Sequence, residues 1–233
     1  MKIAILISGR GSNMLRLADN KDNGGPGTAT FEIVLVAANT PCDGLGLAAE
    51  RGLPVKLYDR AEYPSRQAHE TELADAIEAA GADLICLAGY MAILSAAFVD
   101  RFAGRIINIH PSLLPALKGL DTHARALADG MNRHGASVHL VTAALDDGPI
   151  LLQAGLDIQD GEDADTLAAR VLRLEHALYP FVLSALAAGT LSIADEGVTW
   201  QDGKTSLASA GPDIAAILQS SVFWPDQAKT VPK

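Results

Sequence analysis

Asn108 and His110 stand two residues apart where the apolar run Arg105-Ile106-Ile107 gives way to Pro111-Ser112-Leu113-Leu114-Pro115. The run reads as a buried strand. Residues two apart on a strand share a face, so an amide and an imidazole can converge on one reacting centre. The amide is a neutral donor and the imidazole a titrating one. Open α/β sheets bind ligands at the carboxyl ends of their strands, where this pair lies. The two prolines bracket the turn and restrict its backbone.

A second constellation follows the first apolar run. Ser8-Gly9-Arg10-Gly11-Ser12-Asn13-Met14 reads as a glycine turn between a strand and a helix. Such a turn presents backbone N–H groups beside a helix N-terminus, an anion site. A dinucleotide loop needs glycine where Met14 stands, and an acidic residue where the second strand ends in Ala37-Ala38-Asn39. A Walker loop needs a Gly-Lys pair that is missing here. What remains is a cradle for a compact phosphate monoester, with Ser12 and Asn13 adding side-chain donors. A plain strand-to-helix turn is the alternative for a two-glycine loop taken alone.

Further polar candidates lie downstream. Asp146 and Asp147 precede Gly148-Pro149, a common turn composition. Turn chemistry is enough for Asp147, whereas a role for Asp146 requires proximity to His110. Glu175 interrupts the apolar stripe Leu167, Val171, Leu174 and Leu178 of a long helix. A carboxylate there needs a partner: a substrate amine or hydroxyl, or a supporting hydrogen bond. His139 lies within a strand and reads by default as structural. His134 and His176 read as surface or supporting residues. No metal site is expected, since the histidines lack HExxH or paired-cysteine spacing. No GxSxG nucleophile elbow occurs. The chemistry expected is noncovalent: polarise a carbonyl, stabilise an oxyanion, move protons.

Positioning these groups falls to alternating elements. Residues 3–7, 31–37, 54–57, 83–87 and 105–109 read as strands. Helical patterns follow from 12, and over 44–51, 66–80 and 96–102. Ser65 is a candidate N-cap and Gly81 a stop. This alternation predicts an α/β, doubly wound, mostly parallel sheet. After residue 130, runs 136–141 and 150–158 flank the 145–149 turn and predict an antiparallel edge extension. A helix begins near Asp163, and Pro180 is expected to kink or end it. The last thirty residues alternate small and polar types, and are expected to be weakly ordered.

The chain has 233 residues, a net charge of −10, 49% hydrophobic and 20% charged residues. That suits one large α/β domain, or one domain plus a short appendage. The acidic balance argues against nonspecific nucleic-acid binding and anionic membrane surfaces. Cys42 and Cys86 fit free thiols of a reducing compartment. The N-terminal apolar run is too short for a secretory signal. The expectation is a cytoplasmic protein.

Taken together, several segments resemble the phosphoribosylglycinamide formyltransferase family, the folate-dependent glycinamide ribonucleotide transformylases of purine synthesis. They are residues 6–13 and Leu87-Ala88-Gly89-Tyr90-Met91. The run from Asn108 to Pro115, Gly135-Ala136-Ser137-Val138-His139, residues 145–149 and Glu175-His176-Ala177-Leu178-Tyr179-Pro180 complete the set. Order and spacing fit over residues 1–202. The resemblance implies a formyltransferase domain at 1–202, its 1–100 part binding the nucleotide phosphate and its 101–202 part catalytic and folate-binding, with 203–233 as an appendage. It implies formyl transfer from 10-formyltetrahydrofolate to the amine of glycinamide ribonucleotide, without a metal. Asn108, His110 and Asp146 match the catalytic trio. Gly11, Ser12 and Asn13 match the phosphate loop, Arg66 a position near the substrate phosphate, and Glu175 a residue meeting the ribonucleotide. Met91, Ala92, Ile93, Leu94, Val141 and Asp146 fall in or near the folate pocket. The family also carries a cis peptide before the proline matched by Pro115.

Three positions depart from the family pattern. Ala92 stands where an arginine is common, Asp121 where a histidine is common, and Ala116-Leu117-Lys118 replaces Lys-Tyr-Pro. They bear on folate affinity and local charge. Competing expectations are a formyltetrahydrofolate deformylase-type hydrolase and a catalytically inactive nucleotide-phosphate binding module. A tRNA formyltransferase would carry a further basic domain. The pattern leaves a monomer or homodimer open.

Overall fold

A computed structural model of the chain describes residues 1–20, 31–194 and 197–225. Strands and helices alternate as β1 (Lys2–Ile7), α1 (Ser12–Asn20), β2 (Glu32–Ala38), α2 (Asp43–Glu50) and β3 (Val55–Leu57). The alternation continues through α3 (Arg66–Ala79), β4 (Leu84–Leu87), α4 (Ala96–Arg101) and β5 (Ile106–His110). There follow α5 (Thr122–Ala128), β6 (Arg133–Leu140), β7 (Ile150–Asp157) and α6 (Ala164–Ala188). A hairpin of β8 (Leu191–Ala194) and β9 (Gly197–Trp200) precedes α7 (Gly203–Ala208), α8 (Pro212–Leu218) and β10 (Val222–Phe223).

One eight-stranded sheet has the order β10-β7-β6-β5-β4-β1-β2-β3. Pairing is parallel from β3 to β5 and antiparallel across β5–β6, β6–β7 and β7–β10. This is the doubly wound sheet with an antiparallel edge that the sequence predicts. Its central strands are apolar on both faces because both are covered. Ile3, Ile5 and Ile7 of β1 join the core shared with α1 and α6, while Ala4 and Leu6 join the core under α3 and α4.

Helix ends follow local chemistry. Ser65 accepts a hydrogen bond from Ala68 N, and Asp163 accepts one from Thr166 N, satisfying first-turn donors. Gly189, in the left-handed region at φ 74°, closes α6. Helix α6 ties the sheet together. The Tyr179 hydroxyl lies 3.1 Å from Leu87 O and 3.2 Å from Ile107 O, donating towards the ends of β4 and β5. By length and composition α6 is apolar enough to cross a membrane, but most of it is buried in this core.

Two expectations are corrected. Of the kink or end expected at Pro180, the end does not occur: α6 runs unbroken from Ala164 to Ala188. A proline inside a helix costs about 3 kcal/mol. Leu178, Tyr179, Phe181 and Val182 flank it and are buried, and each such side chain contributes about 1.5–3 kcal/mol. The packing outweighs the break. Nor are residues 203–225 weakly ordered: they form α7, α8 and β10, and β10 extends the sheet beside β7. Phe181 and Trp200 stack at 5.7 Å, and Trp224 meets Trp200 edge-on at 4.9 Å. These contacts are nonlocal, so the small-and-polar pattern does not reveal them. The rest of the expected appendage, 226–233, lies outside the described residues.

Of the two readings of His134, surface or supporting, the surface one is corrected, because it is buried on β6. Its Nε2 is 3.1 Å from His123 Nδ1, and its Nδ1 has no partner among the described residues. Burial, with His123 and His110 nearby, pushes its pKa down to about 4. The folded state therefore binds fewer protons than the unfolded state between pH 4 and about 6.5. This contribution to stability is complete above that window and is lost as pH falls through it. The thermal midpoint should drop on acidification from pH 7 to 5, and His134→Gln should flatten that drop. An unchanged slope in the variant would rule this residue out as the source.

Candidate active site

Strand β5 ends at His110, so Asn108 and His110 leave the same strand end on one face. In the antiparallel register Asn108 faces His139 and His110 faces Ser137. The β6–β7 connection then returns over the strand end and brings Asp146 to the pair. His110 Nδ1 lies 3.5 Å from Asp146 Oδ2. Asp146 sits in the left-handed region at φ 47° and accepts the Gly119 N–H at 2.9 Å. The neighbouring Asp147 turns outward to pair with Lys118 and is 55% exposed, against 10% for Asp146. One acid of the doublet therefore faces the imidazole and the other faces solvent. Gly148 makes the return possible, since a Cβ there would lie 1.9 Å from Leu140 O.

Hydrogen bonds fix the donors. His110 Nε2 is 3.0 Å from Leu117 O. A carbonyl only accepts, so Nε2 carries a proton and Nδ1 is the nitrogen that faces Asp146. His139 Nδ1 is 2.8 Å from Leu140 O and is a donor by the same argument. Burial lowers the His139 pKa, against the Leu140 hydrogen bond and the Asp146 charge. Lowering favours the neutral ring, whose Nε2 then accepts from Asn108 Nδ2 at 3.2 Å and lies 3.7 Å from Asp146 Oδ1. That sets the Asn108 amide with its second N–H free. His139, structural by default from its strand position, thus belongs to the site. Its one sequence signal was a face shared with Ser137, on the strand that pairs with β5.

The three groups border a cavity of about 430 Å³. Its walls include Met91, Ala92, Ile93, Leu94 and Val141, with Asn108, His110, His139 and Asp146 among its polar groups. Met91, Ile93, Leu120 and Leu145 are exposed at its lining. An apolar cleft with a few convergent polar groups suits a small organic ligand. Asp121 also lines it, at φ 57°, and its side chain makes no cap bond to α5. Among the described residues no group of three or more His, Cys, Asp or Glu could hold a metal ion.

The glycine loop lies at the neighbouring strand end. Leu15 N donates to Gly11 O at 2.9 Å, the first helical bond of α1, so the amides of Ser12, Asn13 and Met14 precede the helical ladder. Asn13 Nδ2 donates to Glu175 Oε2 at 2.6 Å. Burial raises the Glu175 pKa to about 7, against the Asn13 hydrogen bond. Gly11, Ser12, Asn13 and Glu175 thus form one cluster, and Ser8 connects it to the cavity. Ser8 Oγ accepts from Met91 N at 2.8 Å and donates to Asn39 Oδ1 at 2.6 Å. Arg66 does not join the cluster. It pairs with Glu70 on its own helix and donates to Ile93 O, beside the cavity wall.

Comparison with known proteins now identifies the family. The formyl transferase family model matches residues 1–183. The chain belongs to the formyl transferase family. It is 42% identical over 207 residues to the phosphoribosylglycinamide formyltransferase of Escherichia coli, covering 88% of this chain and 95% of that one. The solved phosphoribosylglycinamide formyltransferase of Coxiella burnetii superposes with a TM-score of 0.81 at 42% identity, over 86% of this chain and 93% of that one. The Brucella melitensis structure of the same name gives 0.75 at 46% identity, over 83% and 98%.

In this formyl transferase, buried side chains that the sequence did not single out hold the His110 turn. Ser137 Oγ donates to Ser112 O at 2.6 Å and accepts from Leu114 N at 3.1 Å. Gln153 Nε2 donates to Leu114 O at 2.9 Å and Ser137 Oγ at 2.7 Å. The Leu114–Pro115 peptide is cis, as the family resemblance implied. The glycine loop is packed as tightly. Gly44 N donates to Gly9 O at 3.1 Å, and a Cβ on Gly44 would lie 2.7 Å from both Gly9 O and Ile7 Cδ1. Gly44→Ala should therefore displace the loop and destabilise the chain by ~1–3 kcal/mol, as overpacking does. Denaturant unfolding checks this, and a neutral result would mean that the contact relaxes freely.

Proposed function

We propose that this formyl transferase moves the formyl group of 10-formyltetrahydrofolate to the primary amine of glycinamide ribonucleotide, a step of purine biosynthesis. The observation that carries the proposal is the convergence of Asn108, His110 and Asp146 at an apolar cavity joined by Ser8 to a glycine loop. Enzymes similar to it are named phosphoribosylglycinamide formyltransferases. Residues 1–100 would supply the phosphate half and residues 101–202 the catalytic, folate-binding half. The setting for such a step is the cytoplasm.

The cavity fits a flat heteroaromatic body: Met91, Ile93, Leu94 and Val141 offer apolar walls, with polar groups at one side. When bound, the folate supplies an activated formyl carbon. The chain's own groups do the rest. As charge develops on the formyl oxygen, the free Asn108 N–H and the protonated His110 Nδ1 donate to it. The 3.5 Å gap to Asp146 leaves that Nδ1 proton able to be shared. Asp146 balances the imidazolium charge. Its second oxygen, Oδ1, can take the proton shed by the amine, directly or through water, and pass it to the folate nitrogen as the carbonyl re-forms and the bond between that nitrogen and the formyl carbon breaks, releasing tetrahydrofolate. Gly11, Ser12 and Asn13 cradle the phosphate with backbone N–H groups at the α1 N-terminus. Glu175, ionised, accepts from the ribonucleotide's hydroxyl or amine.

The test is amine-dependent formyl transfer with purified chain. Wild type should turn over only with glycinamide ribonucleotide present, and His110→Ala should lose at least ~10²-fold in kcat. Folate hydrolysis independent of amine would replace the transferase by a deformylase. Asp146→Asn should cost far more rate than Asp147→Asn, and equal losses would misassign the acid. Glu175 takes up a proton as pH falls through about 7, and it then loses its anionic acceptor. The ribonucleotide KM should rise below pH 7 in wild type. In Glu175→Gln that component should vanish. An identical pH profile in both would remove Glu175 from binding.

A further inference from the structure

A second cavity, of about 640 Å³, shares no lining residue with the catalytic one. Ligand pockets span roughly 300–1,000 Å³. Its walls come from the end of α1, the second half of α6, and the chain from Thr190 through α7 to the start of α8. Most of that wall follows residue 183, where the family match ends, and no step of the proposed reaction uses it. The cavity has an apolar side, made by Phe181 and Ala185 of α6 with Ile214 of α8. Arg16 is its one cation among the described residues. Arg16 Nε is buried and has no hydrogen-bond partner among them, a costly state for a charged donor. Much of the remaining wall only accepts. Thr190 Oγ1 donates to Ala185 O at 3.3 Å, Ser206 Oγ to Asp202 O at 3.2 Å and Ser209 Oγ to Thr205 O at 3.0 Å. Those hydroxyl protons are spent on the backbone, so the oxygens offer lone pairs. Asp19, Asp202 and Asp213 add three carboxylates against the single arginine.

We propose that this cavity is a second, noncatalytic ligand site that takes a neutral 6-oxopurine nucleoside. The ligand must bring an acceptor for Arg16, donors for the hydroxyls and carboxylates, and a flat apolar body for the Phe181 side. A guanidinium pairs in bidentate fashion with the adjacent O6 and N7 acceptors of a 6-oxopurine. Carboxylates accept ribose hydroxyls, as the acidic residue of a dinucleotide fold does. The base then covers Phe181 and Ile214. A 6-aminopurine fits less well, because it turns an N–H donor towards Arg16. A phosphate ester also fits less well, because it adds negative charge beside three carboxylates. The molecule carries its own reporter of occupancy. Its two tryptophans, Trp200 and Trp224, meet edge-on, and Trp200 stacks on Phe181 in the cavity wall. Neither lines the catalytic cavity.

The experiment titrates the full chain with inosine, adenosine and inosine 5′-phosphate, following heat by calorimetry and tryptophan emission in parallel. Inosine should bind one site with a Kd below about 1 mM, and emission should change along the same isotherm. Adenosine and inosine 5′-phosphate should each bind at least about fivefold more weakly. Arg16→Gln should weaken inosine about tenfold, the factor expected for losing one charge-assisted hydrogen bond. Asp202→Asn should weaken it about threefold; asparagine tolerates the left-handed backbone there and keeps an oxygen for the α7 cap. That exposed substitution decides the matter if Arg16→Gln does not fold. Inosine binding should persist with glycinamide ribonucleotide at saturation. Absence of saturable binding, binding without an emission change, or displacement by the ribonucleotide would overturn the proposal. So would wild-type affinity in both variants, or a preference for the phosphate ester or for adenosine.

Discussion

A carboxylate held against an imidazole at a strand end is the constraint around which this molecule is arranged. Asp146 and His110 face each other at 3.5 Å, yet they come from different arms of the chain. Asp146 arrives on the return between β6 and β7, with its backbone in the left-handed region that aspartate tolerates better than most side chains. The Gly119 N–H and the close pass of Gly148 under Leu140 hold it there. Remove either support, and the acid has no reason to face the ring instead of water.

The antiparallel edge is what makes the pairing possible. In an all-parallel sheet β5 would be followed by a helix and another parallel strand, and the chain could not fold back over the end of β5. Here β6 runs the other way, so His139 lies opposite Asn108 and Ser137 opposite His110. One strand thus supplies both the neutral acceptor that orients the amide and the hydroxyl that pins the histidine turn. The parallel half carries the glycine loop and the cavity wall, joined through the Ser8 hydroxyl. Two substrates could meet only where these halves adjoin.

Electrostatics separate the titrating groups by surroundings. Burial favours the neutral forms of His139 and His134, which suits them to act as acceptors or packing elements. Glu175 is raised towards neutrality by burial, with one amide as its hydrogen-bond partner. The doublet Asp146-Asp147 shows the same principle within two residues. Adjacent acids of identical chemistry are divided by the turn, one facing the imidazole and one facing a surface lysine.

Much of this was legible in the letters. The apolar runs and glycine stops determined the β/α alternation, because burial on both faces demands them. The Asn-x-His pair at a strand end put an amide and an imidazole on one face at the carboxyl edge of the sheet, because strand periodicity is two. The glycine loop lacks the residues that dinucleotide and Walker loops need. What only the tertiary structure decided involves contacts between distant segments. Pattern at Pro180 suggests a break, but core packing on both sides carries the helix through. The C-terminal residues look unpatterned, but tryptophans reach across to α6 and β10 joins the sheet. Gly44 and Gln153 carry no local signal at all. Their significance lies in which backbone atom each one meets, and local propensity does not encode a meeting between segments tens of residues apart.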